Sequence, residues 1–278
     1  MSIQKYHFIL LAGVSIALLV SCNSGKGNEA VKVGTNNSDS SVAKISALIS
    51  DLPFPGGIVD TLNSIHAGFI SKLTNPPDNV SLYTESNTQS INLGVFGADL
   101  AYVISFEHFQ EVGPYLKNAK KLADDIGIPV EFTEEMIVRS ENNKNNKDSL
   151  KKIVFDGYRV IDQTLKQNQR TAAEVLVLVG GWLEGTYLTT QSLSSVSDTM
   201  NKTKLLHVLY LQKLYSDRLL GLLNQISTSS YCSQLIPPVQ EIRNAFEQVQ
   251  PGKDEEQALA TIIEKVKALR TLVIKGNS

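Results

Sequence analysis

Cysteine is nearly missing from this chain: only Cys22 and Cys232 occur in 278 residues. A disulfide framework is therefore excluded as the source of stability. Histidine is as sparse, with four residues; none forms HExxH or an i, i+4 ligand pair, so the sequence offers no metal site and no cofactor motif. G-x-S-x-G is absent, and Cys232, within Ser-Tyr-Cys-Ser, has no histidine nearby in sequence, so no catalytic residue is assigned. The close glycines at 94, 97, 180, 181 and 185 lie inside apolar helical stretches, not in a loop after a strand, which removes a phosphate-cradling role. Lys and Arg number 26 against 28 Asp and Glu, a net charge of −2. Such a mildly acidic chain lacks the concentrated basic surface that nucleic acid requires. No strand-like alternation is convincing anywhere, and no apolar run is long enough to span a bilayer permanently.

The longest apolar run stands at the beginning. Lys5 and His7 precede Phe8–Val20, which has the length of a secretory leader's hydrophobic region. It ends in Leu19-Val20-Ser21-Cys22, which resembles a bacterial lipobox. That resemblance implies cleavage after residue 21, lipidation of the Cys22 thiol and acylation of the new N-terminus with fatty acids of the palmitate class. Several acyl chains hold a protein on a bilayer firmly, since each buried methylene adds about 0.8 kcal/mol. Residues 22–41 are rich in Asn, Ser, Gly and Lys and read as a lipidated, flexible tether. Asn23 stands where an Asp often marks inner-membrane retention, and no acidic cluster follows Cys22. The expected location is the outer membrane, facing the periplasm, with the membrane itself as the first partner through the lipid.

Residues 42–278 read as a single all-α domain, a bundle of about nine or ten antiparallel helices; a helical-repeat arrangement is the alternative. Amphipathic spacing predicts helices at Ser41–Leu52, Ile58–Leu73, Tyr115–Ile126, Leu150–Lys166, Asp198–Ile226, Pro237–Gln248 and Glu255–Ile274, plus one capped by Thr133. Gly127 is expected just past the end of one of them. Gly113-Pro114, Pro237-Pro238 and Pro251-Gly252 are expected chain breaks. Residues 74–90, full of turn formers, read as a long surface loop.

Two stretches are apolar on nearly every side, the pattern of helices enclosed by others: residues 91–109 and 170–193. Each carries close glycines and, in its apolar middle, an acid with a tyrosine three residues on: Asp99 with Tyr102, and Glu184 with Tyr187. The 85-residue offset suggests two related halves, although the flanking residues align poorly. A buried carboxyl group survives only if paired, hydrogen-bonded or protonated. Arg139, Arg159 and Arg170 are candidate partners. Asp99, Tyr102, Trp182, Glu184 and Tyr187 together form the candidate ligand-binding set, with structural ion pairing and aromatic core packing as the competing readings.

The segments N-L-G-V-F-G-A-D-L-A-Y (92–102) and G-G-W-L-E-G-T-Y (180–187), together with the lipobox and Asn-rich loops, resemble uncharacterised helical lipoproteins of Bacteroidota. The resemblance implies fold and location and carries no activity. The leading expectation is a non-enzymatic binding or scaffolding module for another envelope component, with an envelope protein as a candidate partner. A small-molecule binder built around Asp99 and Glu184 is the second reading, and a hydrolase using those acids the third.

Overall fold

A computed structural model describes residues 57–65, 67–196, 198–249 and 255–276. The leader, Cys22, the tether, the predicted helix Ser41–Leu52, His66 and the Pro251-Gly252 break lie outside the described residues.

The described chain is all-α. Nine α-helices follow in order: α1 Gly57–Ser64, α2 Ser86–Ser105, α3 Phe109–Asp125, α4 Val130–Asn142, α5 Lys147–Gln167, α6 Thr171–Ser192, α7 Thr199–Gln225, α8 Ser230–Glu247 and α9 Glu255–Ile274. Three 3-10 turns accompany them, at Ser71–Leu73, Pro77–Leu82 and Leu193–Ser195, and no strand occurs among the described residues.

α2 and α6 are buried over almost their whole length. Their contact depends on glycine. A Cβ on Gly180 would come within 1.8 Å of the Ile91 carbonyl oxygen, and one on Gly94 within 2.1 Å of the Val177 oxygen and 2.6 Å of the Gly181 nitrogen. Backbone therefore lies on backbone. Ile91 meets Gly180, Gly94 meets Val177 and Gly181, and Asp99 meets Glu184, so the numbers climb together and the helices run parallel. Alternation of successive helices explains this. α3 folds back on α2, with Tyr115 beside Phe96 and Asp125 bonded to Gln89. α5 folds back on α4 through Arg139–Asp156 and Met136 over Gly157. With three helices between them, α2 and α6 point the same way.

The parallel pair separates two apolar cores. Ile91, Val95 and Tyr102 of α2 join α1 and α6–α9 in one; Leu93, Phe96 and Leu100 join α3 and α5 in the other. Neighbouring residues of one helix point about 100° apart, so an all-apolar helix serves both sides.

Several boundaries differ from the sequence reading. α1 ends at Ser64, short of Leu73; residues 67–70 are non-helical, and Phe69 stacks on Tyr102 at 5.1 Å. Pro114 lies inside α3, little more than a turn from its start, and Pro237 and Pro238 lie inside α8, which begins at Ser230. α4 starts at Val130; Thr133 is buried within it, its hydroxyl donating to Asp124 at 2.6 Å. Gly127 does occupy the left-handed turn after α3, at φ 82°. The 74–90 stretch is not a surface excursion: Thr74, Asn75 and Tyr83 are buried, and α2 already begins at Ser86.

The glycine contact yields a direct test. Gly180→Ala forces a methyl into the Ile91 backbone and should cost about 3 kcal/mol or more, beyond ordinary overpacking because the obstacle is backbone. Gly113→Ala, where a Cβ meets nothing within 4 Å, should be neutral or stabilise by about 0.5–1 kcal/mol. Urea denaturation of both variants measures the difference.

Candidate functional site

One turn beyond the glycine contact, the seam turns polar. Asp99 and Glu184 are both fully buried and lie against one another. Their cation is Arg270, from α9, and not Arg139, Arg159 or Arg170. Arg270 Nε donates to Glu184 Oε2 at 2.7 Å and Nη2 to Oε1 at 2.8 Å, the two-pronged geometry that a guanidinium matches to a carboxylate. Nη2 also donates to the Leu73 carbonyl at 2.8 Å, and the guanidinium lies 4.0 Å from the Tyr187 ring centre. Arg139 instead pairs with Asp156, and Arg170 bonds the Ile126 carbonyl and the Ser86 hydroxyl.

The segment 71–84 closes the seam. The Asn75 backbone N–H donates to Asp99 Oδ2 at 3.1 Å, and its side-chain amide donates to the Tyr83 hydroxyl at 3.0 Å. Tyr83 passes its own proton to the Ile274 carbonyl at 2.9 Å, tying the segment to the end of α9. Thr74 accepts from the Tyr115 hydroxyl at 2.7 Å. The turn-forming composition of 71–84 therefore serves to aim backbone groups inward at a buried acid, which a regular helix would have spent on itself.

The candidate set divides accordingly. Asp99, Glu184 and Tyr187 sit at the cluster, the last beneath Arg270. Tyr102 flanks it; its hydroxyl accepts from the Ile70 N–H at 2.9 Å, and Phe69 covers its ring. Trp182 does not belong: two residues before Glu184 it faces the other side of α6 and packs in the α6–α9 core. Sequence reasoning missed Arg270, Asn75 and Tyr83. Arg270 did carry a signal, since it falls four residues after Val266 and three before Val273, on the stripe that faces inward.

Burial is the chief cause of the electrostatics. It raises Asp99 well above the ordinary carboxyl range, Glu184 raises it further, and Arg270 and Asn75 only partly oppose this. Burial likewise pushes Tyr83 and Tyr115 up to about 12. Burial disfavours the charge on Arg270, but Glu184 and Asp99 outweigh it, and the guanidinium is held more firmly protonated than usual. The cluster joins α2, α6, α9 and the 71–84 segment; protein donors take both Glu184 oxygens and Asp99 Oδ2, and Asp99 Oδ1 is left without one among the described residues.

The clefts described in the structure lie elsewhere. One, with a cavity volume of only about 50 Å³, lies between α2, α3, α4 and α5 and is apolar, lined by Leu93, Leu100, Phe132, Met136 and Ile161. Another, of about 260 Å³, borders Asp60, Ser105 and Lys151, where Asp60 accepts from the Ser105 hydroxyl at 2.7 Å and pairs with Lys151 at 2.6 Å. Among the described residues, no group of three His, Cys, Asp or Glu is placed to hold a metal, and no helix is long and apolar enough to cross a membrane. Cys232 is buried, and burial raises its thiol pKa. No family model, no curated protein and no solved structure matches the chain.

A third buried acid gives a pH test. Glu174, at the start of α6, is raised to about 7 by burial and by Asp162, with Lys166 opposing. Its Oε1 lies 3.5 Å from Lys166 Nζ, too far for a good hydrogen bond. A raised carboxyl pKa means the folded state holds the extra proton, so stability falls as pH climbs from about 4.5 to about 7. Glu174→Gln should remove that slope, on the order of 1 kcal/mol per pH unit, in thermal unfolding followed between pH 4.5 and 8.

Proposed function

We propose that this chain is a non-enzymatic helical lipoprotein, anchored through Cys22 to the periplasmic face of the outer membrane, where it binds or scaffolds another envelope protein. The observation that carries the non-enzymatic part is the fate of the two core acids. Glu184 is fully engaged by Arg270, and Asp99 is buried against Glu184 and Asn75. A general acid or base must reach the proton it moves, and neither carboxyl group faces a cleft that the structure describes. The anchor rests on Leu19-Val20-Ser21-Cys22 at the end of an apolar leader.

Surface features support a protein partner. α7 presents Tyr210 at 44 % and Leu214 at 58 % exposure one turn apart, and α4 leaves Val130 and Val138 outward. Exposed apolar groups of this kind, close to charged neighbours such as Lys213 and Asp217, are common in protein-binding surfaces. A small-molecule binder would instead concentrate its contacts in an enclosed pocket with convergent polar groups.

Anchoring and binding are separable by experiment. Mass spectrometry of the mature N-terminus should find acylated Cys22, and Cys22→Ala should move the protein out of the membrane fraction. Cross-linking in the envelope should then capture the same protein partner with wild type and with Asp99→Asn. Loss of capture in Asp99→Asn while that variant stays folded would return the acids to a binding role.

A further inference from the structure

The cluster holds two carboxyl groups and one guanidinium, and the donors are divided unequally. Arg270 directs both prongs at Glu184 and uses Nη2 again on Leu73. Asp99 receives the Asn75 N–H on Oδ2, while its Oδ1 is buried with no hydrogen-bond donor among the described residues. Two adjoining carboxylates beside a single cation, shielded from water, would leave one uncompensated charge in the interior. A proton on Asp99 removes that charge and turns the orphaned acceptor into a donor facing Glu184.

We propose that Asp99 is kept as the neutral acid, bridging to Glu184 through its proton, so that the cluster is a proton-dependent clasp holding segment 71–84 and α9 onto the α2–α6 pair. The rest of the surroundings leave Asp99 as the group that switches. Tyr187 on α6, Tyr83 on the segment, Tyr115 on α3, Tyr158 on α5 and Tyr102 on α2 itself are phenols raised by burial, and they stay neutral well past neutral pH. Arg270 on α9 keeps its charge throughout.

Loss of the Asp99 proton sets two negative charges together on helices packed backbone to backbone at Gly94 and Gly180. Relief must come from water, and segment 71–84 is the cover that gives way: neither of its 3-10 turns contains a buried residue, and Thr74, Asn75 and Tyr83 alone are buried in it. The clasp thus opens on the side of Leu73 and Asn75 as pH rises. This inference is independent of what the module binds, and its failure would leave the proposed function untouched.

The test is done on the protein as purified, carrying Glu174→Gln to silence the other raised acid. Infrared difference spectra near neutral pH should show a protonated carboxyl band that shifts in deuterium oxide and disappears with Asp99→Asn. Hydrogen exchange at Leu73 and Asn75, normalised to intrinsic rates, should lose protection by about tenfold per pH unit while Asp99 titrates. In Asp99→Asn that dependence should vanish, since the amide donates to Glu184 without a titrating proton. Absence of the acid band in the Asp99-containing protein overturns the proposal whether or not Asp99→Asn folds. The same pH-dependent exchange in Asp99→Asn overturns it too.

Discussion

Backbone contact between α2 and α6 is the constraint on which the remainder of this structure rests. Two helices with side chains at their crossing sit 8–10 Å apart; Gly94 and Gly180 let these two close until peptide groups touch. That approach fixes their register. Once Gly180 lies on Ile91, Asp99 has no choice but to meet Glu184, and a costly pair of buried acids follows from a favourable packing event. The cluster is what makes the close approach tolerable, because Arg270 and Asn75 supply the donors that water would otherwise have given.

The order of the chain reflects this. The last helix returns to provide the cation, the segment between α1 and α2 provides the backbone donor, and Tyr83 ties those two elements to each other through the Ile274 carbonyl. Asn92 adds a second link, donating to the Val273 carbonyl at 3.2 Å. The polar center therefore couples residues from both ends of the described chain. Such long-range ties hold the fold together, since each of its two apolar cores alone covers only part of the helices.

Much of this was legible in the sequence. Apolar residues on nearly every face of 91–109 and 170–193 marked the two enclosed helices, and Asp99 and Glu184 stood out in mid-helix because no other charge lies within several residues of either. Helix boundaries set by proline were less legible. Pro114, Pro237 and Pro238 read as breaks, yet each lies inside a helix, early in α3 and in mid-course in α8, where tertiary packing outweighs the lost backbone bond. The 74–90 stretch was misread for a different reason. Turn-forming composition shows that a segment is not helical or extended, but not whether its backbone points at solvent or at a buried carboxyl group. The parallel sense of α2 and α6 lay in the count of intervening helices, and the choice of Arg270 over nearer arginines lay in its place on the inward stripe of α9.

A double-mutant cycle on Glu184 and Arg270 tests most directly whether the buried cluster is a structural tie. Removing Arg270 alone, as Arg270→Leu, leaves an uncompensated buried charge and should cost about 3–5 kcal/mol in chemical denaturation, while Glu184→Leu leaves Arg270 only the Asp99 carboxyl group and should also destabilise. Removing both should cost far less than the two single losses together, giving a coupling of a few kcal/mol. Losses that simply add, or single variants as stable as wild type, would contradict the account and show that the two side chains do not act as a pair.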